Sequence, residues 1–99
     1  MKYKFHTKKL EEMYYGGKTY NIHEDVLKLY RLRVYFIRNA VSISDLKSRS
    51  SFNLEKLNAG KFKNLWSIRL NRQWRLIFDL TNDWFVQVVD IIDLSKHYE

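Results

Sequence analysis

Arg69 and Arg75 are the residues whose type and spacing point most directly to chemistry. Each lies in a run that alternates between apolar and polar residues. In the first, Trp66, Ile68 and Leu70 oppose Ser67 and Arg69; in the second, Trp74, Leu76 and Phe78 oppose Arg75, Ile77 and Asp79. Period-two alternation reads as half-buried strand, and residues directly opposed in a hairpin share one sheet face. A two-residue loop at Asn71-Arg72 would set Arg69 against the core residue Trp74. A three-residue loop, Asn71-Arg72-Gln73, pairs Leu70 with Trp74, Ile68 with Leu76 and Trp66 with Phe78. Core then meets core, and Arg69 falls opposite Arg75. Opposed like charges cost up to roughly 1 kcal/mol. The pair becomes favourable when an anion binds between the two guanidinium forks, which match phosphate geometry bidentately. The alternative is a carboxylate bridging them, from Asp79, Asp90 or Asp93.

Proton transfer would need further groups, and Glu55 and His97 are the candidates. A lone Glu on an amphipathic strand is more often simple surface, and His97 and Tyr98 lie in a tail of the kind that frays unless tied down. Lys56, Lys61 and Lys63 flank the expected sheet and, with Arg72 and Tyr98, form the candidate RNA-contacting set; each lysine also reads as ordinary solvated surface. His6 and His23 have no partner pattern that suggests more than structure. No clustered His/Asp/Glu spacing of a metal site, Gly-rich phosphate loop or nucleophile elbow is present. An enzyme of this kind acting on RNA is therefore expected to work without metal or other cofactor. The ribose 2′-hydroxyl beside the scissile phosphate would be the nucleophile, and arginines would stabilise the charge developing on phosphorus.

The elements that must position these residues can be read along the chain. Lys2-Tyr3-Lys4-Phe5 suits a short edge strand. Thr7 can cap a short helix through about Tyr15, stopped by Gly16-Gly17. Asn21, with Glu24 three residues later, opens a second helix in capping-box fashion. Its core stripe is Ile22, Val26, Leu29/Tyr30, Val34, Ile37 and Val41, and the helix should end near Ala40. Arg33 sits beside the stripe, which suits a buried stem with its head at the surface. Ser42 can cap one further short turn. Asn53–Leu57 is a possible strand, Asn58-Ala59-Gly60-Lys61 a turn, and Thr81-Asn82-Asp83 a second turn before an apolar central strand from Trp84 to Ile92. The expected class is α+β: an antiparallel sheet meander with N-terminal helices packed on one face.

Composition bounds the rest. The 99 residues form one domain by length. Hydrophobic residues at 45% and aromatics at 16% can offset the entropy of folding, which excludes intrinsic disorder. No apolar run approaches the roughly 18 residues of a membrane helix, and Met1–His6 has no apolar signal region. The absence of cysteine removes disulfides and thiolate chemistry and fits a reducing, cytoplasmic location. Lys plus Arg at 18 against Asp plus Glu at 11 gives a net charge of +7, which favours a polyanion or an acidic protein as partner.

Three blocks carry a resemblance to a known family. They are Leu54-Glu55-Lys56-Leu57, then Trp66-Ser67-Ile68-Arg69-Leu70-Asn71-Arg72-Gln73-Trp74-Arg75-Leu76-Ile77-Phe78, then Val89-Asp90-Ile91-Ile92-Asp93. In this order they resemble the HigB branch of the RelE/ParE toxin superfamily, and the N-terminal half agrees in element order. The resemblance implies a toxin that cuts mRNA in the ribosomal decoding site. It also implies silencing by a helix-turn-helix, HigA-like antitoxin, through which the pair meets operator DNA. Arg75 matches the family arginine expected at the scissile phosphate, Arg69 matches the "SIR" position, and Lys56 lies near the basic residues of the preceding strand. Where many members carry a histidine in "LHPLKG", this chain has Glu55; where many end in "DYH", His97 comes two residues later. The ParE branch, which acts by binding DNA gyrase, and a plain RNA-binding domain are the competing readings. RNA-binding sheets expose aromatics for stacking, whereas Trp66 and Trp74 fall on the predicted core side.

Overall fold

The computed structural model describes residues 1–96; His97 and Tyr98, two of the candidate site residues, lie outside them together with Glu99. Five strands form one sheet in the order β1-β5-β4-β3-β2. They are β1 (Lys2–Phe5), β2 (Glu55–Lys56), β3 (Trp66–Arg69), β4 (Trp74–Asp83) and β5 (Val86–Lys96). β2 to β5 pair antiparallel, as the alternating pattern predicts. β1 is an edge strand, as expected, and joins β5 in parallel, with Tyr3 beside Val89 and Phe5 beside Ile91. A parallel pair requires a long crossover, and the helices between β1 and β2 supply it.

Helix α1 (Lys8–Glu11) starts at Thr7, whose hydroxyl accepts from the Leu10 N–H at 3.2 Å. It continues as one π-helical stretch, Glu12–Gly16, and stops at Gly17, whose φ of 72° is left-handed. Helix α2 (Glu24–Asn39) begins later than predicted. Asn21 is not its cap: with Tyr20 it forms a left-handed turn, at φ 62° and 48°. His23 caps instead, its Nδ1 accepting from the Asp25 N–H at 3.1 Å, while Glu24 and Asp25 place negative charge at the helix's positive end. The helix ends where expected, and because Ala40 is already extended, Val41 leaves the stripe and is 89% exposed. Helix α3 (Ile43–Lys47) follows Ser42 and gives way to a single 3-10 turn at Ser50–Phe52.

The core is one layer between helices and sheet. Leu10, Met13, Val26, Leu27, Tyr30, Val34 and Ile37 from the helical side meet Ile68, Leu70, Leu76, Phe78, Val89, Ile91 and Leu94 from the sheet. Tyr30 is wholly buried and donates its hydroxyl to the Leu10 carbonyl at 2.7 Å, so its polar tip is satisfied. Each large apolar side chain buried here contributes about 1.5–3 kcal/mol.

The β4–β5 hairpin differs from its sequence reading in two ways. The chain turns at Trp84-Phe85, not at Thr81-Asn82-Asp83; Asp83 still pairs with Val86. Cross-strand bonding therefore extends to the very tip and leaves Trp84 and Phe85, which looked like core, 89% and 100% exposed. The second difference is a bulge. Ile77 pairs with Asp93 but Phe78 pairs with Ile91, so Ile92 is an extra residue. Beyond it the strand continues to Lys96, and Asp93 and Ser95 join the face that carries Arg75.

Candidate active site

The register predicted for the β3–β4 hairpin is the one observed. Trp66 opposes Phe78, Ser67 opposes Ile77, Ile68 opposes Leu76, and Arg69 opposes Arg75. The three-residue loop is held by the Asn71 carboxamide oxygen, which accepts from Gln73 N–H at 2.9 Å and Trp74 N–H at 2.8 Å. This Asx geometry fixes the loop that brings the two arginines abreast.

Four strands supply the face turned away from the helices. One row runs Glu55, Ser67, Ile77, Asp93 and the next runs Arg69, Arg75, Ser95. Arg75 is the anchored member. Its side chain is only 13% exposed, and its Nη1 donates to Glu55 Oε1 and to Ser67 Oγ, both at 3.3 Å. A guanidinium this far from water needs such partners. Glu55 is half-exposed, so the pair lies at the lip of the site rather than beneath it. Arg69 is exposed, and its backbone carbonyl accepts from Arg33 Nε at 3.2 Å. Arg33 also stacks over Phe52 at 4.5 Å, the buried stem with surface-reaching head that its place beside the helix stripe predicts; burial pushes its pKa below the usual arginine value.

The carboxylate that meets Arg75 is Glu55, not one of the three aspartates considered. Asp79 and Asp93 each accept from the backbone N–H of the next residue, Leu80 and Leu94, at 2.8 Å. Asp90 lies 3.7 Å from His6.

A cleft of about 520 Å³ opens beside the Glu55–Arg75 pair. Its walls come from β2, the loop that follows it, and the end of β5. Lys56 and Lys61 line it; Lys63, exposed on the same loop, does not, and Arg72 is exposed at the tip of the β3–β4 loop. The candidate set therefore divides. Glu55, Lys56 and Lys61 line the cleft, Arg75 joins it through Glu55, and Arg69 is the cross-strand partner of Arg75, while Lys63 and Arg72 stand at the periphery. Ser67, Ser95, Lys96, Asn58 and Phe62 belong to the site but were not singled out from sequence. Ser67 was legible in principle, since the same alternation that orients Arg69 orients it. No group of three or more His, Cys, Asp or Glu that could hold a metal occurs among the described residues. No helix of the described residues is long and apolar enough to cross a membrane.

Solved structures of toxins share this helix-backed sheet, two of them at full length. One is a YoeB/ParE toxin from Agrobacterium tumefaciens, 20% identical, with a TM-score of 0.59 over 99% of this chain and 100% of that one. The other is the YoeB–YefM complex from Staphylococcus aureus, 17% identical, with a TM-score of 0.58 over 99% and 98%. No curated protein sequence matches the chain. The sequence profile of the HigB-like toxins, described as RelE-like toxins of the type II toxin–antitoxin system HigB, matches residues 3–93. The chain belongs to the HigB-like toxin family.

Proposed function

We propose that this toxin is a ribosome-dependent endoribonuclease that cuts mRNA and is held in check by a helix-turn-helix, HigA-like antitoxin. The observation that carries the proposal is the cross-strand pairing of Arg69 with Arg75, whose carboxylate partner Glu55 lines an open cleft. Two guanidinium groups abreast suit a phosphodiester, and the repulsion between them falls when the anion arrives. In the reaction, the substrate's 2′-oxygen attacks phosphorus, the bond to the 5′-oxygen breaks, and a 2′,3′-cyclic phosphate and a 5′-hydroxyl result. Glu55 accepts the 2′-hydroxyl proton and His97 donates one to the leaving oxygen. Arg75 stabilises the charge on the non-bridging oxygens, with Arg69 as its partner. Lys56, Lys61, Lys63, Arg72 and Tyr98 hold the flanking RNA. The net charge of +7 suits both the ribosomal surface and an acidic segment of the antitoxin. The antitoxin would in turn bring the pair to operator DNA. The YoeB–YefM complex, a toxin of this fold with its bound partner, supports an antitoxin for this chain as well.

Inducing wild type and Arg75→Ala in a bacterium, with primer extension on cellular mRNA, tests this reading. New mRNA 5′ ends are expected from wild type only. Equal growth arrest from both would remove Arg75 from the chemistry. A matched structure also carries the name ParE, and inhibition of gyrase by binding would instead give DNA damage without new mRNA ends.

A further inference from the structure

The cleft beside Arg75 has a composition that phosphate contacts alone do not explain. Three lysines reach it: Lys56, Lys61 and Lys96. Lys61 holds its ammonium over the Phe62 ring at 5.3 Å, while the Lys56 and Lys96 ammonium groups lie over their cross-strand partners Trp66 and Trp74, at 5.8 and 6.0 Å, on the side of the sheet opposite Arg75. The carboxylate in the lining, Glu55, is already paired with Arg75, which leaves the cleft cationic. Within this rim the lining includes apolar Leu57 and Phe62 together with Asn58. Asn58 is exposed, and its side-chain amide makes no hydrogen bond among the described residues. A carboxamide offers a donor and an acceptor side by side, as the edge of a base requires.

The loop that carries these residues is pinned at its neck. Leu57 N–H donates to Leu65 O and Asn64 N–H to Leu57 O, both at 2.8 Å. Left-handed Gly60 and Asn64, at φ 80° and 72°, let it reverse so tightly. The site is thus largely preformed, and its volume falls within the roughly 300–1,000 Å³ of small-ligand sites. That volume accommodates a nucleotide.

We infer that this cleft is a nucleobase subsite, in which Phe62 supplies the stacking face and the Asn58 amide reads the base edge. It rests on the endoribonuclease reading and deepens it, by naming what sets sequence preference at a nucleotide next to the scissile phosphate. The base takes the place of the Lys61 ammonium over Phe62, and that ammonium turns to the neighbouring phosphate. Arg75, joined to the lining residue Glu55, marks the side on which the adjacent phosphate lies. Asn58 and Phe62 are specificity-determining residues in this scheme; they move no protons.

Trinucleotides with 2′-O-methyl riboses cannot be cut, so they report binding without catalysis or ribosomes. The four bases are compared at the central position by titration into the full-length toxin. The readouts are the NMR shifts of the Asn58 side-chain amide and Phe62 ring, and the dissociation constant. The Asn58 amide should shift, and one base should bind best. Phe62→Leu, which keeps the apolar volume, should weaken binding roughly 5- to 100-fold, the range for loss of one stacked base. Asn58→Ala should bring the four bases within about twofold of one another. In ribosome-programmed cleavage, the same Asn58→Ala variant should cut with a flattened base preference. An unshifted Asn58 amide, or unchanged discrimination in Asn58→Ala, overturns the subsite even where cleavage is normal. Trinucleotide binding as described without mRNA cleavage keeps the subsite and sinks the nuclease. Should Phe62→Leu fail to fold, Asn58→Ala, on an exposed loop position, decides the matter.

Discussion

Replacing Arg69 by Gln should make the protein more stable and less active at once. Arg69 and Arg75 are direct cross-strand partners, a position where Cβ atoms stand about 4.5–5.5 Å apart. Like charges directly opposed across two strands cost roughly 0.2–1 kcal/mol, and the lower part of that range applies because the exposed Arg69 is screened by water. The Glu55 carboxylate on Arg75 offsets part of this, leaving roughly 0.3–0.6 kcal/mol to be regained. For a domain of this size that raises the melting temperature by about 1–5 °C. The Arg33 bond to the Arg69 carbonyl survives, since the backbone is unchanged. Thermal unfolding of both proteins at 20 mM and 1 M NaCl is the assay. The gain should vanish at 1 M, where the screening length is about 3 Å. Single-turnover cleavage of ribosome-bound mRNA should meanwhile slow about 10²-fold. A variant that melts lower than wild type at low salt, or gains equally at both salt concentrations, would refute the claim that the two guanidinium groups repel. Undiminished cleavage would refute their joint action on the phosphate.

Other residues give separate tests. Glu55→Gln keeps an acceptor for Arg75 but cannot take a proton; cleavage should fall 10²-fold or more, while chemical denaturation shows a change under about 1 kcal/mol. Ser67→Ala removes a fully buried acceptor of Arg75 and should cost about 1–2 kcal/mol in urea unfolding. Its kcat should drop about tenfold with little change in KM, since the arginine is misplaced rather than lost. Burial raises the pKa of Tyr30 above its ordinary 10.0. Its stabilising contribution is complete below pH 10 and declines as pH rises further, because the unfolded chain ionises first. Tyr30→Phe should be about 1–2 kcal/mol less stable at neutral pH and should lack that alkaline decline in pH-dependent melting. Trp84→Gly should stabilise by about 0.5–1 kcal/mol, since φ there is 58° and the indole is 89% exposed; a lower denaturation midpoint would show that the indole contributes packing.

The site was legible where its geometry follows from pairing rules. Trp66, Ile68, Leu76 and Phe78 leave one hairpin register that satisfies the core, and that register sets Arg69 against Arg75. It was illegible where distant segments meet. Glu55 reaches Arg75 from a two-residue strand that only its bonding to β3 defines. Nothing local to the sequence marks it over Asp79 or Asp93. The cleft is likewise built from the end of β5 and a loop some 35 residues earlier. At the helix start, Asn21 and His23 both had capping side chains, and the left-handed turn at Tyr20-Asn21 decided between them. Trp84 and Phe85 misled because apolar character usually means burial, whereas here the turn falls on them.

The extra residue at Ile92 gives β5 two phases. Before it, the odd-numbered Val89 and Ile91 face the helices; after it, the even-numbered Leu94 does. Without that slip Leu94 would turn outward, and Asp93 and Ser95 would be driven into hydrocarbon. The strand's two halves thus answer to different demands, the first to oil and the second to charge. Among relatives, one-residue changes in length should be tolerated at the exposed Trp84-Phe85 turn, where they leave both phases intact. Between Ile92 and Lys96 the same change would hand Arg75 a different neighbour.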